Sequence, residues 1–160
     1  TVAGQGTLTR EWEEQGLQAD TILIAVGGGG LIAGAMAWLG KTRKILAVEP
    51  EKAPTMFTAL AQGGPQDVEV GGIAANALGA RKVGQICYDL AIETGTECVT
   101  VTDEAIRTAQ VALWQECRQL VEPAGATALA ALMSGAYKPA PDERVAVLVC
   151  GGNLSEDPFG

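Results

Sequence analysis

The sequence predicts an α/β protein with an open, mainly parallel twisted sheet and helices on both faces, a three-layer arrangement. Short segments rich in branched residues alternate with helical patterns along the chain. Residues 21–26 are apolar on both faces, as a strand covered by helices should be. A run of glycines then leads directly into a helical segment, which is the strand–turn–helix order of a right-handed crossover.

The remaining elements follow from the same patterns and give a Rossmann-like order. Strands are predicted at residues 21–26, 44–48, 97–101 and 144–149, and helices at 31–39, from Asp103 behind its capping residue Thr102, and from Pro123 to about Gly135. The apolar stripe of the middle helix consists of Ile106, Ala109, Leu113 and Cys117. Residues 1–7 are interpreted as a loop. The longest irregular connection is expected at residues 63–79.

Length and composition narrow the class of protein. The 160 residues, 48% of them hydrophobic, suit one domain with a sizeable core, and the net charge of −8 argues against a nucleic-acid partner. The chain contains no histidine, which excludes Ser-His-Asp and Cys-His catalysis and His-ligated metals. Without a secretory signal or a Cys-x-x-Cys pair, a reduced cytoplasmic setting is predicted.

An uncharged stretch at residues 21–40 raises the possibility of a membrane span. The four consecutive glycines at its centre argue against one, because each costs a helix interior about 1 kcal/mol relative to alanine. A strand, a turn and a helix use the same residues without this penalty. No membrane association is therefore predicted.

The glycine run predicts an anion site. Gly27, Gly28, Gly29 and Gly30 follow a buried strand and precede a helix, so their unshielded N–H groups lie at the positive end of a helix dipole. A phosphate is the natural ligand. A dinucleotide loop remains open as an alternative, because residues 28–33 satisfy G-x-G-x-x-A and Glu49 ends the next strand at the spacing of a ribose-binding acid.

Several short segments together resemble one family. They are 3–7 (AGQGT), 27–31 (GGGGL), 48–50 (VEP), 70–74 (VGGIA), 121–126 (VEPAGA) and 150–153 (CGGN). In order and spacing they resemble the C-terminal half of a fold type II, pyridoxal-5'-phosphate (PLP) dependent serine/threonine dehydratase of the threonine ammonia-lyase family. The resemblance runs from Thr1 to about Asn153 and implies PLP as the cofactor.

The resemblance implies roles for particular residues. The PLP phosphate would be held by the main-chain amides of Gly27, Gly28, Gly29, Gly30 and Leu31, in agreement with the anion site. Cys150, before Gly-Gly-Asn, would face the pyridine nitrogen.

Two further acidic positions are less clear-cut. Glu122 could lie near the pocket or be an ordinary first-turn acid of its helix. Some relatives bind a cation at the positions of Glu49, Ala53 and Thr55, but threonine replaces their aspartate here, so no metal site is predicted.

The resemblance also implies that this chain, residues 1–160, is the C-terminal part of a longer enzyme. The family's Schiff-base lysine lies in a Ser-Phe-Lys type segment, which this sequence lacks, so no catalytic residue is assigned and the chain alone is expected to be inactive. The parent would convert L-threonine or L-serine to a 2-oxo acid and ammonia as a homo-oligomer. Alternatives are a serine racemase or threonine synthase activity, or a domain that binds a nicotinamide dinucleotide.

Overall fold

The computed structural model describes residues 1–154, and the last six residues of the predicted domain lie outside that part. The elements in chain order are α1 (Val2–Glu14), β1 (Thr21–Ala25), α2 (Gly30–Leu39), β2 (Lys44–Pro50), α3 (Thr55–Gln62), α4 (Ala75–Leu78), α5 (Gln85–Thr94), β3 (Glu97–Val101), α6 (Asp103–Cys117), α7 (Pro123–Met133) and β4 (Val145–Val147). No helix within residues 1–154 is long and apolar enough to cross a membrane.

The strands form one open parallel sheet, which confirms the predicted fold class. Their order is β3-β2-β1-β4, and Leu23 at the centre of β1 pairs with Leu46 of β2 and Val147 of β4. Strand β3 has its predicted bounds, and β2 continues two residues beyond its predicted end, to Pro50. Strand β4 is shorter than predicted because, among the described residues, it pairs only with β1.

Helices cover both faces of the sheet. Ile22, Ile24 and Val26 point into one core, formed with α1, α2, α3 and α5, whereas Leu23 and Ala25 belong to the other core, under α6 and α7. All five residues of β1 are buried, which explains the continuous apolar run in the sequence. The many alanines of α7 allow that helix to approach the sheet closely.

Helix α6 starts where the sequence predicts, but its buried face differs from the predicted apolar stripe at one position. The Thr102 hydroxyl accepts a hydrogen bond from the Ala105 amide at 3.1 Å, as a capping residue should. Cys117, predicted to be apolar and buried, is exposed at the last turn. Ile106, Ala109 and Leu113 are buried as predicted, and the fourth buried side chain of the helix is Gln110, whose amide donates to the Val121 carbonyl at 2.9 Å. A long-range partner therefore makes a polar side chain acceptable in the core.

The prediction of a loop at residues 1–7 is wrong, because residues 2–7 form the first part of helix α1 and Thr1 is its N-cap. Its glycines suggested a turn, yet Gly6 is needed where α1 crosses α2. A Cβ on Gly6 would lie 3.0 Å from the Gly34 carbonyl oxygen, and a Cβ on Gly34 would lie 2.4 Å from the Gly6 nitrogen. The two backbones touch directly. The glycines serve helix packing, which a local pattern does not reveal.

The segment between β2 and β3 contains more structure than the sequence patterns indicated. Helices α3 and α5 were not predicted, and α4 interrupts the expected irregular connection near its end. Helices α3 and α5 contribute few buried side chains each. These are Thr55, Met56 and Ala59 from the first and Cys87 and Ala91 from the second. Such a narrow buried face gives a weak periodic signal.

An ion pair joins the start of β1 to the start of β4 and leads to a prediction on acid stability. Asp20 accepts hydrogen bonds from the Arg144 backbone at 2.9 Å and from its guanidinium at 3.0 Å. These bonds lower the pKa of Asp20 from its ordinary value of 3.8 to about 2.

Because the folded pKa is depressed, the contribution of Asp20 to stability is present above the unfolded pKa and is lost as the pH falls toward the folded one. We expect the urea midpoint of Asp20→Asn to change less between pH 4 and pH 2 than that of the unmodified chain. Asp142→Asn, which removes an exposed charge nearby, is the control. Equal acid dependence in all three proteins would contradict the prediction.

Candidate functional site

The carboxyl ends of β1 and β4 bring two glycine-containing turns together. Leu23 pairs with Val147, so the turn that follows β1 at residues 27–30 lies beside the turn that follows β4 at residues 150–152. In open parallel sheets this edge is where ligands bind. The predicted residues Gly27 to Leu31 and Cys150 therefore lie at one edge of the sheet.

In the turn after β1, three successive carbonyl groups are bonded to the protein. The Gly27 oxygen accepts from the Thr55 hydroxyl at 2.8 Å, and the Gly28 oxygen accepts from the Gly84 amide at 3.1 Å. The Gly29 oxygen accepts from the Ala33 amide at 2.9 Å, inside the first turn of α2. Hydrogen bonds from the protein itself thus hold the carbonyl groups of the turn in place.

The amide side of the same turn is free. Within residues 1–154, no group accepts a hydrogen bond from the N–H of Gly28, Gly29, Gly30 or Leu31. These donors stand at the N-terminus of α2, where the helix dipole adds positive potential. Four unpaired amides at a helix start can bind an anion such as a phosphate group.

Packing against the protein accounts for only two of the four glycines. Gly29 has φ +85°, and a Cβ there would lie 2.5 Å from the Cys87 sulfur; a Cβ on Gly27 would lie 3.0 Å from the Leu78 Cα. At Gly28 and Gly30 the nearest atoms would be 3.6 and 3.4 Å away, which is ordinary contact. Packing inside the protein therefore does not require glycine at positions 28 and 30. A ligand that approaches the backbone closely would require it.

Cys150 occupies the turn after β4 and is held by the start of α7. The Glu122 amide donates to the Gly151 carbonyl at 2.9 Å, and a Cβ on Gly125 would lie 1.5 Å from the Cys150 carbonyl oxygen. Cys150 as a whole residue is exposed to solvent. Partial burial, together with the nearby Glu122 charge, raises its pKa above the ordinary value, so the thiol keeps its proton at neutral pH.

Glu122 lies in the same place, buried beneath the turn after β4. Its side chain is 6% exposed, and among the described residues its Oε2 atom has no hydrogen-bond partner. It precedes α7 but makes no side-chain capping bond there. Glu122 is therefore packed against the turn that carries Cys150 and does not cap α7 with its side chain.

Glu49 and Thr55 have local partners that the sequence did not reveal. The buried Glu49 carboxylate accepts hydrogen bonds from the amides of Met56 and Phe57, at 2.8 and 2.9 Å, and lies 2.7 Å from the Thr55 hydroxyl. It thereby binds the N-terminus of α3. In the sequence, Thr55 stands out only because it replaces an aspartate that binds a cation in some relatives. No local pattern indicates that Thr55 and Gly84 are hydrogen-bond partners of the glycine turn.

Comparison with known proteins identifies the class. The pattern that defines pyridoxal-phosphate dependent enzymes matches residues 1–151. The chain belongs to this family, and its fold is that of the fold type II members, which include threonine dehydratases. The cofactor of the family is PLP, which rules out the dinucleotide alternative.

Individual relatives support the same family. The chain is 37% identical to the phenylserine dehydratase of Ralstonia pickettii over 164 aligned positions, covering 99% of this chain and 50% of that protein. Among solved structures, it resembles the T.th. threonine deaminase (TM-score 0.84, 32% identity, 98% of this chain and 58% of that one). It equally resembles the serine racemase of Dictyostelium discoideum (TM-score 0.85, 31% identity, 97% and 51%). The chain thus spans about half the length of these relatives.

The residues present suit part of PLP. The phosphate group would meet the unpaired amides of residues 28–31, and Gly28 and Gly30 leave room for it. A protonated thiol at Cys150 can donate a hydrogen bond to an aromatic ring nitrogen. The turns after β1 and β4 thus carry groups of the kinds that a phosphate and a ring nitrogen can bind.

Proposed function

We propose that this chain forms the phosphate-binding and ring-nitrogen-binding part of a PLP-dependent ammonia-lyase. The substrate would be L-threonine or L-serine, and the products a 2-oxo acid and ammonia. Gly27 to Leu31 would hold the phosphate and Cys150 the ring nitrogen. The lysine that attaches the cofactor would come from a part of the enzyme outside these 160 residues.

The observation that carries the proposal is the orientation of the turn after β1. Its carbonyls are bonded inward at Gly27, Gly28 and Gly29, while the amides of residues 28–31 have no partner among the described residues. Gly29 is buried and Gly30 and Leu31 are half-buried, and amides in such places are costly to leave without a partner unless a ligand or water satisfies them. A dianionic phosphate satisfies all four at once.

In the proposed reaction, the chain's own residues bind and orient. When bound, PLP supplies an electron sink for the bonds that break at the α and β carbons of the amino acid. The amides of residues 28–31 anchor the phosphate, and the proton on Cys150 is held toward the ring nitrogen. A neutral thiol, unlike a carboxylate, does not force a proton onto that nitrogen. This suits loss of the β-hydroxyl better than transamination.

Serine racemisation is the second candidate, favoured by the 31% identity and close structural match to a serine racemase. The complete enzyme, supplied with L-serine, would distinguish the two by its products. Pyruvate and ammonia as the main products support the lyase. D-serine formed faster than pyruvate would favour the racemase.

Gly28 provides a test that separates binding from folding. We expect Gly28→Ala to leave the urea midpoint of the chain nearly unchanged, because the added Cβ meets only Ala80, at 3.6 Å. The same methyl group would occupy space beside the free amides, so PLP affinity should fall by about tenfold or more. Equilibrium dialysis with PLP and with pyridoxal, which lacks the phosphate, measures the effect.

The matched control is Gly64→Ala, in the connection after α3, where a Cβ meets nothing within 4 Å. It should change neither stability nor PLP binding. If Gly28→Ala binds PLP as tightly as the unmodified chain, the turn does not hold the phosphate. If the loss is equal for PLP and pyridoxal, the contact is not with the phosphate.

A further inference from the structure

We infer that Thr55 is a positioning residue for the phosphate, because its hydroxyl holds the first peptide group of the glycine turn in the orientation that exposes the amides. The inference rests on the proposed function and adds a residue that lies outside the glycine turn itself. Thr55 is completely buried, at the first position of α3. Its hydroxyl lies 2.8 Å from the Gly27 carbonyl oxygen.

Because a peptide group is planar, the hydrogen bond from Thr55 to the Gly27 carbonyl also determines the direction of the next N–H group. In a planar trans peptide, the C=O of one residue and the N–H of the next point in opposite directions. A donor that fixes the Gly27 carbonyl therefore also fixes the direction of the Gly28 N–H. In the same way, the Gly84 amide on the Gly28 carbonyl fixes the Gly29 N–H, and the Ala33 amide on the Gly29 carbonyl fixes the Gly30 N–H.

Three consecutive peptide groups are thus held by three donors, and Thr55 is different from the other two. Gly84 and Ala33 donate from the backbone, which a substitution does not remove. Within residues 1–154, no second donor reaches the Gly27 carbonyl. Loss of the Thr55 hydroxyl would leave that peptide free to rotate between its glycine neighbours, and a rotation would turn the Gly28 N–H away from the phosphate.

The hydroxyl is itself well fixed. It also lies 2.7 Å from Glu49 Oε1, and Glu49 is held by the amides of Met56 and Phe57. A hydroxyl has one proton to donate. The Gly27 carbonyl has no other donor among the described residues, so Thr55 donates to it. The 2.7 Å contact with Glu49 Oε1 then uses a proton on Glu49, which burial favours because it raises the pKa of that carboxyl group.

The test compares three substitutions in the 160-residue chain, with inorganic phosphate, PLP and pyridoxal as the ligands. Thr55→Val keeps the branched shape but removes the donor, and we expect about a tenfold loss of affinity for PLP and for phosphate. Pyridoxal binding should not change. Thr55→Ser keeps the donor and should retain affinity. Thr58→Val, one turn further along α3, is the control for loss of a hydroxyl from the same helix.

A purely structural role would lower stability without changing the ratio of PLP affinity to pyridoxal affinity. An unchanged ratio in folded Thr55→Val would therefore overturn the inference. If that variant does not fold, Thr55→Cys serves instead, because it places a weak S–H donor where the hydroxyl was and should give an intermediate loss. Failure of the unmodified chain to bind either PLP or phosphate would instead contradict the proposed function.

Discussion

The 160-residue chain, mixed with PLP and L-threonine, is expected to release no 2-oxobutanoate above a control with free PLP. A lysine that attaches PLP must present an uncharged amine, which proteins usually achieve by burial in an apolar site. All five lysines of this chain are exposed. Lys44 and Lys52 lie 2.9 and 2.7 Å from Glu97 and Asp103, and these partners raise their pKa values further.

The expected effect is large, because the comparison is between an enzyme that releases 2-oxobutanoate and a chain that releases none. A protein that also supplies the Ser-Phe-Lys type segment of the family, on the same chain or co-expressed with it, should show the activity. Replacing that lysine by alanine is the matched control and should abolish it again. Sustained release of 2-oxobutanoate by the 160-residue chain alone would show that one of its own lysines serves.

Gly125→Ala is expected to destabilise the chain strongly, although alanine is the better helix former by about 1 kcal/mol. Gly125 lies in α7, and its added Cβ would be 1.5 Å from the Cys150 carbonyl oxygen and 2.7 Å from the carbonyl carbon. Both atoms are backbone, so α7 or the turn after β4 must move. We expect a loss of about 3 kcal/mol in the free energy of unfolding.

Urea unfolding measures this loss, and Gly4→Ala in α1 is the control. A Cβ on Gly4 meets nothing within 4 Å, so propensity alone should act and stabilise the helix by about 0.5 to 1 kcal/mol. The two glycine-to-alanine changes should therefore shift the urea midpoint in opposite directions. A stabilised Gly125→Ala would contradict the close approach of α7 to Cys150.

Much of the framework was predictable because it depends on local patterns. Strand β1 is apolar throughout, and its burial on both faces follows from that fact. The start of α6 at Thr102 and the start of α7 at Pro123 follow from capping and first-turn preferences. The glycine turn before α2 was predicted as an anion site, and its unpaired amides agree with that interpretation.

The errors share one physical cause, which is that a tertiary contact overrides the local signal. The glycines of α1 suggested a loop, but Gly6 is required by the backbone of α2. Cys117 continued an apolar spacing, yet the helix ends at the surface and Gln110 is buried instead because Val121 offers it a carbonyl. Helices α3 and α5 bury narrow faces, so their periodicity was too weak to detect.

By itself, the sequence determined the α/β order, the two glycine-containing turns and, through its motifs, the family and the cofactor. These depend on residue type and on spacing along the chain. Only the tertiary structure decided which groups are left free to bind. The donors that orient the glycine turn, Thr55 and Gly84, lie 28 and 56 residues from the carbonyls they hold at Gly27 and Gly28. Hydrogen bonds over such separations exist only once the chain is folded, because the sheet and its helices must first bring the partners together.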